Sequence, residues 1–263
     1  MAIEYRFAHG QNDRLPALAA DLVDRRVAGM VAAGTPATLA ARTATTTIPI
    51  VFYIAVDPVQ FGLAASLSRP GGNLTGVGAL SVDLAAKKLE VLHELLPDAA
   101  VVAMLVNPTN PNVEPLSKPT QDAARSLGVQ LHILRASTAE EIDAAFASLV
   151  RLRASALVVG DDSYFINQRA QIMALAARHA VPTISGLREF PAAGGLMSYG
   201  PDLVGSYRQV GLYVGKILKG IRPADLPVQQ VVKIEMVVNL KTAKTLGITF
   251  PLPLIGRADE VIE

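Results

Sequence analysis

A punctuation mark recurs where the apolar runs of this chain end: Gly34-Thr35-Pro36, Asp57-Pro58, Asn107-Pro108, Asp161-Asp162-Ser163 and Ser198-Tyr199-Gly200-Pro201-Asp202. Each follows a short β-like segment, and most precede an amphipathic helical stretch. A Thr, Asp or Asn before Pro suits a helix start, because the side-chain oxygen caps an orphan N–H and Pro at the first helical position has no N–H to lose. The chain therefore reads as strand, capped turn, helix, repeated. In open α/β sheets the carboxyl ends of parallel strands face a crevice, where helix N-termini offer free N–H groups to anionic ligand groups. Such a repeat is suited to holding a small polar molecule.

With 263 residues, 51% of them hydrophobic and 18% charged, the chain can bury a large core in one large or two modest domains. Lys+Arg of 24 against Asp+Glu of 23 gives a net charge of +1 with no basic block, which argues against nucleic acid and against attraction to a membrane surface. The apolar run Ile48 to Val56 is interrupted by Pro49 and is far shorter than the roughly 20 residues of a spanning helix. The absence of Cys removes disulfides, thiol catalysis and Cys-based metal sites. The segment Met1 to Phe7 has none of the features of an export signal, so read literally the chain is cytoplasmic.

Ile3, Tyr5 and Phe7 alternate with Glu4 and Arg6, which predicts a half-buried strand almost at the first residue. A helix over Leu15 to Arg26 leads to a strand over Val27 to Ala33, a helix over Pro36 to Ala44 and a strand over Ile48 to Val56. Asp57 is expected to cap a further helix to about Leu67. After the turn cluster Arg69 to Asn73, a short strand is expected over Leu74 to Gly78. Helices are predicted over Asp83 to Leu96, Pro115 to Leu127, Ala139 to Arg151, Ile166 to His179 and Asp202 to Lys219. Strands are predicted over Val101 to Val106, Val129 to Leu134, Ala156 to Gly160, Thr183 to Ser185, Gly195 to Tyr199 and Val231 to Val238. An irregular tail follows, with one short helix over Lys241 to Leu246.

The candidate binding residues sit at these strand ends. Thr35 Oγ with the N–H groups of the next turn fits a carboxylate, and it fits an ordinary helix cap as well. Gly34 and Pro36 flank it, and Asp57 reads either as an ammonium partner or as a cap. Asn107, Asp161, Asp162 and Ser163 lie beyond two later strands. Two acids at a strand end need no metal, and no third ligand stands at fixed spacing. Glu189, Phe190, Ser198 and Tyr199 follow the next strands and are expected to line the same crevice or to pack beneath it. The four histidines lack metal-ligand or triad spacing, and Gly71 to Gly78 matches neither phosphate-binding glycine pattern, so no cofactor is expected.

Taken in order, Ile3 to Ala8, Gly34-Thr35-Pro36, Ile48 to Phe52 with Asp57-Pro58-Val59, Ser68 to Asn73, Arg188-Glu189-Phe190, Gly194 to Asp202, Ile217 to Gly220, Ala224 to Gln230 and Asn239 to Lys244 resemble the substrate-binding proteins of ABC importers. The resemblance runs from Ile3 to Glu263 and implies the type I periplasmic-binding fold: two doubly wound parallel-sheet lobes joined by three crossing strands, with solute held in the cleft between them. It places residues 1–78 and 196–224 in an N-terminal lobe and residues 79–195 and 225–263 in a C-terminal lobe. Crossings are expected near Ala79, Gly194 and Val228, with hinge closure at these positions. It also implies a periplasmic location, an ABC permease as partner, no catalysis and no cofactor. The ligand would be amino acid-like or a related carboxylate, and the resemblance extends to members that take aromatic amino acids. Thr35 would hold the carboxylate, Asp57 or Asp162 an ammonium group, and Phe190 and Tyr199 the apolar part.

Family members normally carry an export signal and a first strand and helix ahead of the segment matching Ile3 to Ala8, so the chain as written is expected to lack its first βα unit. Loss of a central strand would leave a buried edge unpaired. Two other functions use the same frame. A ligand-sensing domain of a regulatory system would employ the same crevice, and a doubly wound lyase or isomerase would use Asp161 and Asp162 as acid and base, without the nucleophile or metal such chemistry requires.

Overall fold

The computed structural model describes residues 2–79, 83–231 and 233–263. In chain order its helices and strands are α1 (Leu15–Asp24), β1 (Met30–Ala33), α2 (Thr35–Ala44), β2 (Ile50–Ile54), β3 (Leu74–Gly78), α3 (Asp83–Leu95), β4 (Val101–Val106), α4 (Val113–Leu127), β5 (Gln130–Arg135), α5 (Ala139–Arg151), β6 (Ala156–Val159), α6 (Ser163–Asn167), α7 (Arg169–Arg178), β7 (Thr183–Ser185), α8 (Glu189–Ala192), β8 (Met197–Pro201), α9 (Leu203–Leu218), β9 (Gln229–Gln230), β10 (Ile234–Asn239), α10 (Leu240–Leu246), α11 (Leu252–Ile255) and β11 (Glu260–Ile262). They divide into two compact units, Met1–Leu80 with Asp202–Val232 and Ser81–Pro201 with Lys233–Glu263.

The first unit carries a parallel sheet in the order β1-β2-β3-β9. Val51 and Val77 of this sheet pack with Val210, Tyr213 and Ile217 of α9 and with Leu226, because α9 presents residues three and four apart to one side. Gly76 is required where β3 passes β2: a Cβ there would stand 2.2 Å from the Phe52 carbonyl oxygen. Thr75 Oγ1 donates to the Leu226 carbonyl at 2.7 Å, joining the sheet to the returning segment.

The second unit holds seven strands in the order β11-β10-β8-β7-β6-β4-β5. Five of them, β5-β4-β6-β7-β8, are parallel, while β10 runs antiparallel to β8 and parallel to β11. The period of two along the strands sorts side chains to the two faces. Val102, Met104 and Val106 of β4 join a core with Leu89 and Leu92 of α3 and Leu116 of α4. Ala103 and Leu105 turn the other way, to Ile142 and Phe146 of α5 and Ile172 of α7. Helices on both faces of a parallel sheet make this unit doubly wound, and its strand order reverses between β4 and β6.

The structure corrects several expectations. Residues 3–7 form no strand; Ile3, Tyr5 and Phe7 are 61%, 65% and 62% exposed. Alternation alone does not make a strand without hydrogen bonds to a neighbouring one, and here Arg6 is instead ion-paired to Asp21 of α1. No helix follows Asp57. Leu63 and Ala64 both donate to the Pro58 carbonyl, and Gly62 at φ 64° bends the chain into consecutive turns. Residues 197–201, expected with the first lobe, are hydrogen-bonded between β7 and β10 in the second unit's sheet. Residues 225–231, expected with the second lobe, run beside β3, where β9 pairs with Val77 and Gly78. Val232 of the strand expected over Val231 to Val238 lies outside the described residues. The tail also forms α11 and β11.

Candidate functional site

In the first unit the site begins where β1 gives way to α2. Gly34 N–H donates to the Tyr53 carbonyl at 2.7 Å, and Gly34 then adopts φ 94°, a left-handed turn open to glycine but strained for other residues. That turn drops Thr35 into the first position of α2 and Pro36 into the second. Thr38 closes the first turn through its N–H and its hydroxyl, both donating to the Gly34 carbonyl at 3.0 and 2.9 Å. Thr35 is 1% exposed, and its Oγ1 is buried without a hydrogen-bond partner. A buried hydroxyl lacking a partner costs free energy unless something else bonds to it, and the positive end of a ten-residue helix stands beside it. The arrangement suits an anionic group.

Asp57 is exposed, and its Oδ1 accepts from the N–H groups of Val59 at 2.7 Å and Gln60 at 3.4 Å. It caps a turn. The loop that follows is tied to α2 by the Arg42 guanidinium, which donates to the Gly62 carbonyl at 2.9 Å.

In the second unit Asn107, Asp161, Asp162 and Ser163 come together at the carboxyl ends of β4 and β6, the two strands at which the order reverses. This is the place where doubly wound sheets hold ligands. Asp162 accepts from Asn107 Nδ2 at 3.1 Å and from the Tyr164 N–H at 2.7 Å through Oδ1, and from Asn110 Nδ2 at 2.6 Å through Oδ2. Asn107 Oδ1 in turn accepts from the N–H and hydroxyl of Thr109. Asp162 is thus the buried clasp between the loops after β4 and β6 and the N-cap of α6. Ser163 is the exposed first residue of α6.

Asp161 points elsewhere, its Oδ2 lying 2.9 Å from the ammonium of Lys88. Lys88 was not singled out by the sequence, yet it occupies the apolar stripe of α3 defined by Ala85, Leu89 and Leu92 and is fully buried. A lysine on the core face of an amphipathic helix is the signal that would have found it.

Beyond β7, Glu189 opens α8 with its Oε2 buried and unpartnered. Phe190 is 3% exposed and packs into the core shared with Phe146 and Ile172, so its ring belongs to the interior. Ser198 is buried in β8, and Tyr199 is half-buried against the core that contains Met197 and Met236. A pair missed by the sequence lies in the first unit, where the rings of Tyr53 and Tyr207 stand 5.1 Å apart between centroids.

Parallel α/β units whose polar side chains gather at strand ends and helix starts define a ligand-binding α/β protein. The model of the ABC transporter substrate-binding protein family matches residues 1–262, and the chain belongs to that family. A tyrosine-binding protein of Clostridioides difficile (strain R20291) is 29% identical over 251 residues, spanning 93% of this chain and 70% of that protein. A conserved domain protein from Vibrio cholerae O1 biovar El Tor strain N16961 is 26% identical with a TM-score of 0.91, over 99% of this chain and 87% of that one. An ABC domain from Streptococcus pneumonia, crystallised in complex with L-Trp, shares the fold at a TM-score of 0.89 and 23% identity, over 100% of this chain and 90% of that one. Solute capture for an ABC importer is the function of this family. No described helix is long and apolar enough to cross a membrane.

Proposed function

We propose that the chain captures a free α-amino acid with an aromatic side chain outside the cytoplasm, hands it to an ABC permease and leaves it chemically unchanged. The observation that carries this reading is Thr35: a fully buried hydroxyl without a partner, at the N-terminus of α2, is placed to donate to a carboxylate oxygen. The aromatic class is supported by the tyrosine-binding relative and by the L-Trp complex. Tyr53 and Tyr207, whose rings pack together in the same unit as Thr35, supply apolar surface. The family, one of substrate-binding proteins, argues for binding over turnover.

Thermal-shift measurements against the L-amino acids, with L-tyrosine and L-tryptophan included, test it. A ligand at 100 times its dissociation constant adds about 2.7 kcal/mol of stability, and at least one aromatic amino acid is expected to do so. If no amino acid raises the melting temperature, or if the ligand is recovered altered, the proposal is wrong.

A further inference from the structure

We infer that Asp161 is the receptor for the ligand's α-ammonium group and that Lys88 is the positioning residue that holds it in place; this rests on the amino-acid reading above. Of the carboxylates at the strand ends of the second unit, Asp162 is the one whose two oxygens are consumed by the fold, by two amides and a backbone N–H. Asp161 is differently placed. Its Oδ2 is fixed by Lys88, and among the described residues its Oδ1 accepts no hydrogen bond. The side chain retains 14% exposure, whereas that of Lys88 has 1%. One oxygen is therefore anchored from inside the protein, and the other receives no donor from the described fold.

The backbone is shaped around this carboxylate. Gly186, just past the end of β7, lies so close that a Cβ there would stand 2.2 Å from Asp161 Oδ1 and 2.8 Å from its Cγ. Gly186 is in turn overlapped by β8, since a Cβ on Gly200 would meet the Gly186 carbonyl oxygen at 1.9 Å. Lys88 below and Gly186 beside it leave the Asp161 side chain little choice of rotamer, as a receptor for a small ligand requires.

Charge points the same way. Asp161, Asp162 and Glu189 stand at the ends of β6 and β7, where the Lys88 ammonium answers one of them and the Arg188 guanidinium is taken by Glu260 of β11. Asp162 has only neutral donors around it, and Glu189 Oε2 is buried with none. A cationic group entering this region gains from every one of them, and an anion does not.

The test compares L-tyrosine with 3-(4-hydroxyphenyl)propanoate, the same molecule without its ammonium group, by isothermal titration. The parent protein is expected to prefer L-tyrosine. Asp161→Asn keeps the side-chain volume and is expected to weaken L-tyrosine about tenfold or more while changing the desamino acid about twofold or less. Lys88→Met is expected to narrow the same preference, a change that a purely structural lysine would not produce because it would affect both ligands equally. Should Lys88→Met fold poorly, the double variant Lys88→Met, Asp161→Asn removes the unpaired buried charge and is expected to lack the preference as well. In parent protein carrying a 13Cγ label on aspartate, the Asp161 resonance is expected to move with L-tyrosine and stay in place with the desamino acid. Unchanged L-tyrosine affinity in Asp161→Asn, or equal affinity of the parent for both ligands, overturns this assignment and leaves capture of a small molecule intact. Failure of the parent to bind any amino acid removes the reading beneath it and this inference together.

Discussion

Thr35 Oγ1 is buried at the start of α2 with nothing to bond, whereas both oxygens of Asp162 are fully engaged. The two residues look alike in the sequence, as polar side chains between a strand and a helix, and nothing local separates cap from ligand contact. Substitution separates them. Thr35→Val is expected to weaken amino-acid binding about tenfold or more with a stability change under about 1 kcal/mol, since the hydroxyl contributes no hydrogen bond to the fold. Asp162→Ala is expected to lower stability by about 2 kcal/mol or more, because two buried amides and an N–H lose their acceptor. Urea denaturation and titration calorimetry on both variants read these opposite outcomes. A third residue, Glu141, shows the same economy on the surface. Its Oε2 accepts from the N–H and the hydroxyl of Ser137, and Thr138 caps α5 in return by accepting from the Glu141 N–H. The Ser137 N–H, then its hydroxyl, hold the Glu141 carboxyl below its usual value. A folded pKa below the unfolded one adds stability above the unfolded value that is lost as pH falls through the folded one. Glu141→Gln is therefore expected to lower the melting temperature at pH 7, with the gap closing as pH drops below the carboxylate range. A gap independent of pH would contradict that.

Elements were legible where periodicity and punctuation agreed. The helix predicted over Ala139 to Arg151 and the strands over Val101 to Val106 and Thr183 to Ser185 stand at those bounds. Where only one signal was present, tertiary context decided. Asp57-Pro58 has the chemistry of a helix start, but the turns that follow it serve equally well, and no apolar stripe was there to choose between them. Ile3, Tyr5 and Phe7 alternate as a strand does, yet pairing is a property of the neighbouring edge. Lys88 was hidden because a lone lysine in an amphipathic helix is ordinarily placed on the wet side. β3 illustrates a constraint that the sequence states without explaining: Gly76 sits in a turn-like run of glycines, but its need for hydrogen in place of a side chain comes from Phe52 across the sheet. Gly76→Ala is expected to destabilise the first unit by about 1–3 kcal/mol, measured by urea unfolding. A change within about 0.5 kcal/mol would show that β2 and β3 can separate without cost.

Across the whole molecule, the strand-turn-helix repeat predicted parallel sheets with helices on both faces, and the second unit has that architecture. What the repeat could not fix is where the chain changes units. The segments that move between them are short and apolar like any other strand, so 197–201 and 225–231 were read into the wrong partner; only hydrogen bonds to β7 and β10, or to β3, assign them. The candidate residues Thr35, Asn107, Asp161 and Asp162, by contrast, were legible as strand-end positions, since each stands just past β1, β4 or β6, although their separate roles required knowing which oxygens are already occupied. Capture without chemistry is the claim on which the rest depends. Equilibrium dialysis of the protein against isotopically labelled L-tyrosine, with mass analysis of the ligand released on denaturation, tests it directly. The account predicts saturable uptake of one equivalent, recovered unchanged and sharply reduced in Thr35→Val. No uptake of this or any other aromatic amino acid, or recovery of a converted product, would contradict it.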